Sequence, residues 1–178
     1  MKYNLELLKA DVLDELKKLD RLEQEFSAVE AMLDKSSENM PLYDRSAIGY
    51  YLHSFYNGCE NIFRSVARFF ENDLGPDTWH SDLLKRMKLV IPGFRPAVID
   101  EELFTLLDDF RAFRHKFRHS YTFELDWEKE QLVARKFQKT SRLFHQQVIH
   151  FLETLEEIEQ SDRLQECESS AFAVKDEL

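Results

Sequence analysis

Within one short run, Phe110-Arg111-Ala112-Phe113-Arg114-His115-Lys116-Phe117-Arg118-His119-Ser120-Tyr121, the chain gathers three arginines, one lysine and two histidines between three phenylalanines. Guanidinium groups present a planar fork that matches phosphate oxygens, and imidazoles exchange protons near neutrality. That set suits chemistry at a phosphodiester, and for an RNA target the step would have three parts. A base removes the 2′-hydroxyl proton, an acid protonates the departing 5′-oxygen, and a cation stabilises the charge that develops between them. No metal or other cofactor is required for such a step.

The run stands apart from its surroundings. Overall the chain carries 34 acidic against 24 basic residues, a formal net charge of -10. Such an excess argues against broad, non-specific nucleic-acid binding, which depends on neutralising many phosphates, so any RNA contact must be local. Read as a helix advancing about 100° per residue, the run places Leu103, Leu106, Phe110, Phe113 and Phe117 on one apolar stripe. Arg111, Arg114, His115, Arg118 and His119 then spread over roughly 140° of the other side. Tyr121, seven residues after Arg114, returns to nearly the same angle, so Arg114, Arg118 and Tyr121 are expected to line up. His119 falls about 140° around the axis from Arg114, a position from which the two can flank a cleft but not stack. The ordinary alternative is a solvated basic face paired with surface acids.

The spacing Arg114, four residues, His119, one residue, Tyr121 resembles the Arg-x4-6-His-x-Tyr signature of the HEPN ribonuclease superfamily, and of HepT-like toxins in particular. No second arginine in the chain has a histidine five to seven positions later. Weaker likeness extends to the segment from Tyr50 through His53, Gly58 and Glu60 to Phe63, and to Arg95-Pro96. The resemblance implies an all-α helical fold, a homodimer, and a metal-independent endoribonuclease toxin of a toxin–antitoxin system. By the same resemblance Arg114 and His119 are catalytic, and Tyr121 is the position adenylylated by an MntA-type nucleotidyltransferase antitoxin. Arg111, His115 and Arg118 are then expected to contact phosphate. A single His119 cannot serve as base and acid in one step, a difficulty that eases if two motif helices face each other across a two-fold axis. Glu60, one position beyond the apolar stripe of its own helix, is a candidate to orient a motif arginine, because buried charge needs a partner. From a different class comes a second expectation: an inactive helical module whose basic shelf binds an acidic protein or a nucleotide.

The elements that must position these residues are helical. With only four glycines, four prolines and 43% hydrophobic residues, fifteen of them phenylalanine, the composition is that of a packed helical domain. The expected architecture is an antiparallel bundle of four long helices and a short one, with residues 1–160 as one domain and 161–178 as an acidic tail. Apolar spacing predicts a first helix to about Leu33, carrying Leu5, Leu8, Val12, Leu16, Leu19, Phe26 and Val29. A second, capped near Asp44 or Ser46, carries Ile48, Leu52, Phe55, Cys59, Ile62, Val66 and Phe69, and stops at Asn72-Asp73-Leu74-Gly75-Pro76. Gly58 in its middle predicts close approach by another helix or a ligand. A short helix after Ser81 uses Leu83, Leu84, Met87 and Val90. Asp100 should cap the motif helix, which is expected to reach Tyr121, and Thr122 to Asp126 connect it to a last helix over Trp127–Glu159 with Phe137, Phe144, Val148, Phe151, Leu155 and Ile158 inward. Cys59 and Cys167 cannot build a disulfide framework, and no apolar run is long enough to span a bilayer, so a reduced, cytoplasmic setting without membrane contact is expected. The terminal Lys175-Asp176-Glu177-Leu178 reads as chance. No His-Glu-x-x-His or Cys-x-x-Cys pattern suggests a metal site.

Overall fold

A computed structural model describes residues 4–71, 79–121 and 124–173, and within them every regular element is helical. The expected break at 72–76, part of the 122–126 connection and the last five residues lie outside the described part. The α-helices are α1 Leu5–Ser27, α2 Leu42–Glu71, α3 Trp79–Met87, α4 Glu101–His119, α5 Trp127–Ala134 and α6 Phe137–Ala173. Four of them are long, and they form the antiparallel bundle expected of an all-α chain.

Cross-helix contacts give the directions. On α1 and α6, Lys9 meets Glu156, Asp20 meets His145 and Glu23 meets Ser141, so these two helices run opposite ways. On α2, Gly58 faces Leu19 and Asn61 bonds Glu15 of α1, again antiparallel. Lys139 with Glu102 and Lys136 with Asp109 set α4 against α6 in the same sense. The core between them is rich in phenylalanine. Phe26 stacks on Phe137 at 4.1 Å between centroids, and Phe55 sits edge-on to Phe110 at 5.2 Å and 5.0 Å from Phe137. Rings offset or tilted in this way add to the burial of their area.

Gly58 explains how α1 seats so closely. A Cβ there would lie 2.5 Å from a methyl carbon of Leu19, so the glycine is a notch for another helix, as its mid-helix position predicts. Gly49, one end of α2 away, is a second notch. Its absent Cβ would stand 2.5 Å from the ring of Phe117 on α4 and 2.8 Å from a carboxylate oxygen of Glu130 on α5.

Several expectations need correction. The first helix ends at Ser27 rather than near Leu33, and a 3-10 turn over Glu30–Asp34 follows. Its carbonyls are claimed from outside: Arg135 donates to Leu33, Gln131 bonds the same carbonyl, and the Trp127 indole donates to Lys35 at 3.0 Å. Those three donors, spaced i, i+4, i+8, hold α5 against that turn. The single last helix is therefore two, broken at Arg135-Lys136, because Trp127, Gln131 and Arg135 face the turn while Phe137 onward must face the core. α2 begins at Leu42, two residues before Asp44, with Pro41 accepting from the Arg45 N–H. Val90 and Ile158 are exposed, not core. α3 stops at Met87, before Val90. The described helix α6 continues to Ala173, well past Glu159. Among the described residues no helix is long and apolar enough to cross a membrane.

Candidate functional site

The motif helix α4 starts where its sequence says it should. Asp100 caps it, accepting from the Leu103 N–H at 2.8 Å, and Glu101 and Glu102 complement the positive end of the helix dipole. Its inward stripe is Leu103, Leu107, Phe110 and Phe113. Leu107 joins this stripe, and the expected Leu106, which falls between Phe113 and Phe110 around the helix, is half-buried.

α2 offers this helix a polar strip. His53, Asn57, Glu60 and Arg64 recur at i, i+4, i+7 and i+11, which brings them to one side of α2 beside its apolar stripe. Arg114 inserts there. Its Nε–H donates to Asn57 Oδ1 at 2.5 Å, its Nη2 reaches Glu60 Oε2 at 3.1 Å, and its carbon centre lies 5.8 Å from the Tyr56 ring. Only 13% of its side chain is exposed. Glu60, 2% exposed, also accepts from Arg64 at 2.9 Å, so one buried carboxylate serves two guanidiniums. The contact that its place in the helix suggests is thus present, and its geometry is that of a charge-assisted clamp. Burial, followed by the negative charge of Glu60, pushes the Tyr56 hydroxyl well above its ordinary range.

The other motif residues sit differently. Arg111 is bonded to Asp108 of its own helix at 2.7 Å. His115 and His119, both exposed, hold their rings 4.8 Å apart, one turn from each other at the end of α4. Arg118 is exposed beside them. No hydrogen bond or ion pair joins Arg114 to His119 among the described residues, in keeping with their angular separation on the helix. Tyr121 departs from expectation. α4 ends at His119, Ser120 adopts an extended backbone (φ -119, ψ 151), and the Tyr121 N–H turns to Glu124 Oε2 at 3.1 Å. Helical angle therefore does not align Tyr121 with Arg114 and Arg118, although the ring is 70% exposed at the same end of the helix. Arg95, part of the wider likeness, is committed to carbonyls of Arg86, Leu89 and Pro96 and closes the end of α3.

Three residues of this cluster, His53, Tyr56 and Asn57, carry no functional expectation from sequence. The signal for two of them is present all the same, as polar side chains at helical spacing from Glu60 on a helix otherwise rich in apolar residues. His53 packs its ring 5.6 Å from that of Phe117, and its Nε2 lies 2.8 Å from the Asn57 amide nitrogen. Among the described residues no group of three or more His, Cys, Asp or Glu side chains is gathered as a metal ion would need. Residues 47–155, well over half of the chain and inclusive of every motif residue, match the model of a family described as HepT-like protein. No curated protein and no solved structure matches.

Proposed function

Because that match shows that the chain belongs to the HepT-like family, we propose that it is a HEPN-type endoribonuclease, the toxin of a toxin–antitoxin pair. The observation that carries the reading is a division of labour on one helix. Arg114 is fixed by Asn57 and Glu60 while retaining further N–H donors, and over the five residues that follow it His115, Arg118 and His119 stand exposed. A held guanidinium next to free imidazoles is what in-line phosphodiester transfer asks for. A base takes the proton of the RNA 2′-hydroxyl, and that oxygen bonds to the adjacent phosphorus. The bond to the 5′-oxygen breaks, and an acid returns a proton to the leaving oxygen, giving a 2′,3′-cyclic phosphate and a 5′-hydroxyl.

On this reading His119 and Arg114 are catalytic, and Arg111, His115 and Arg118 contact phosphate. Two chains meeting at their α4 ends would supply a second imidazole for the acid, which makes the working unit a homodimer. Tyr121 is the modification position: an AMP group on its exposed hydroxyl would add negative charge and bulk beside the basic residues and compete with RNA. The donor of that group is an MntA-type nucleotidyltransferase antitoxin. Purified protein incubated with RNA in EDTA tests the reading. Cleavage to cyclic-phosphate ends, abolished in a folded His119→Ala variant, supports it; unchanged cleavage by that variant rejects the assignment.

A second reading is favoured by one observation. Arg114 is already paired with the buried Glu60, and the chain as a whole carries a net charge of -10, as befits an inactive module that binds through the exposed His115, Arg118 and His119 alone. A dimer that leaves RNA intact under all conditions and is tolerated on expression would select it.

A further inference from the structure

Arg114 is anchored at two points, and the anchor through Asn57 leads to His53, a residue with no role in the chemistry above. We propose that His53 is a positioning residue for Arg114, acting through Asn57, and that it does so only as a neutral ring with its proton on Nδ1.

The assignment follows from counting donors. A guanidinium can only donate, so the Asn57 atom facing the Arg114 Nε–H at 2.5 Å is its carbonyl oxygen. That choice turns the Asn57 NH2 group toward His53 Nε2 at 2.8 Å. An amide NH2 also only donates. His53 Nε2 must then accept, and in a neutral imidazole the proton is left on the other nitrogen. Nδ1 is buried and meets no acceptor among the described residues, so the ring forgoes that bond while Nε2 holds the amide in register. The Phe117 ring at 5.6 Å fixes the imidazole from the α4 side. With one nitrogen engaged and the other buried, His53 is not placed to exchange protons with a substrate.

Protonation would undo the arrangement. An N–H on Nε2 would point at the Asn57 NH2 group, the amide would have to turn over, and its NH2 would then confront the Arg114 Nε–H. Arg114 would keep Glu60 and lose Asn57. The charged groups around the ring oppose that protonation. Burial first, and then Arg114 and Arg118 of α4, hold the imidazole below its ordinary 6.5. Two carboxyls pull the other way, Glu60 two turns along its own helix and Glu130 of α5, packed at Gly49 and Phe117, but Glu60 is engaged by two arginines and burial pushes Glu130 up to about 7. The site is therefore built to hold Arg114 on Asn57 while His53 stays neutral, and to leave it on Glu60 alone once the ring is protonated.

This inference rests on the proposed function only in taking Arg114 to serve the site, and nuclear magnetic resonance of the full chain tests it without RNA. Ring nitrogen shifts of His53 should report the Nδ1–H form near neutrality. The Arg114 Nε–H signal should be protected there and should vanish with the same midpoint at which His53 gains its second proton. In His53→Gln, whose side-chain oxygen can accept from Asn57, the Arg114 signal should persist through that pH range; in His53→Leu it should be lost at every pH. Finding the Nε2–H form, or an Arg114 signal indifferent to His53 protonation and to both substitutions, overturns the proposal. Where the wild-type chain cuts RNA, His53→Leu should lower kcat by about 100-fold, the scale of a misplaced catalytic group, with Gln restoring most of it and removing the acid limb due to His53. If the wild type cuts no RNA, the nuclease reading fails and the spectra still decide the role of His53.

Discussion

Glu60 is the side chain on which most of the local charge depends. It accepts from Arg64 at 2.9 Å and from Arg114 at 3.1 Å while itself almost wholly buried. Removing one partner of such a set is more damaging than never having built it, since the remaining charges stay desolvated. Glu60→Leu should therefore destabilise the fold by about 3 kcal/mol or more, read from denaturant midpoints, whereas Glu60→Gln should cost less and keep a neutral acceptor for Arg114. Arg114→Lys is predicted to be no substitute. An ammonium cannot contact Asn57 and Glu60 at once through a planar fork, and cleavage should fall with little change in stability. At this scale the sequence was informative about the contact of Glu60 with Arg114, since the types and spacing of both residues advertise charge chemistry. For His53 and Asn57 it offered only their helical spacing from Glu60, because a histidine and an asparagine on an apolar helix carry no role until the arginine that binds them is known to come from α4.

Helices carry these residues into register, and two glycines decide how closely. Gly58→Ala should push against Leu19 and cost about 1–3 kcal/mol, as overpacking does, without altering the site directly. Gly49→Ala meets the Phe117 ring and Glu130 instead, so it should displace the last turn of α4. Its signature is predicted to be loss of RNA cleavage out of proportion to the change in melting temperature. Helix existence and the Asp100 cap were readable from periodicity and capping chemistry. Boundaries set by distant partners were not. α1 stops at Ser27 and the last helix divides at Arg135 because Trp127, Gln131 and Arg135 bind the 33–35 backbone about a hundred positions earlier in the chain, and no local pattern encodes that. The end of α4 at His119 has the same character: Tyr121 turns to Glu124 rather than continuing the helix.

For the molecule as a whole, Glu130 gives stability a dependence on pH. The residue is 1% exposed, neither carboxyl oxygen is hydrogen-bonded among the described residues, and burial pushes the group up to about 7 against an ordinary 4.5, opposed by Arg45. The folded state thus holds a proton that the unfolded chain gives up. Its contribution is complete below about pH 4.5 and is lost as pH rises through about 7. Glu130→Gln should flatten that decline, gaining on the order of 3 kcal/mol over wild type on the alkaline side, measured as unfolding free energy against pH. A net charge of -10 bears on binding as well: if only the few cations at the end of α4 touch phosphate, RNA affinity should fall with salt at a shallow slope of about -0.7 per neutralised phosphate on a single strand. Finally, the seat of Leu19 in Gly58 joins two parts of the chain that the family match separates, since α1 precedes residue 47 while the notch lies within 47–155. A recombinant fragment trimmed to the matched stretch would bare the faces that Leu8, Val12, Leu16, Leu19 and Phe26 now cover, and should be recovered as aggregate unless the first helix is supplied in trans.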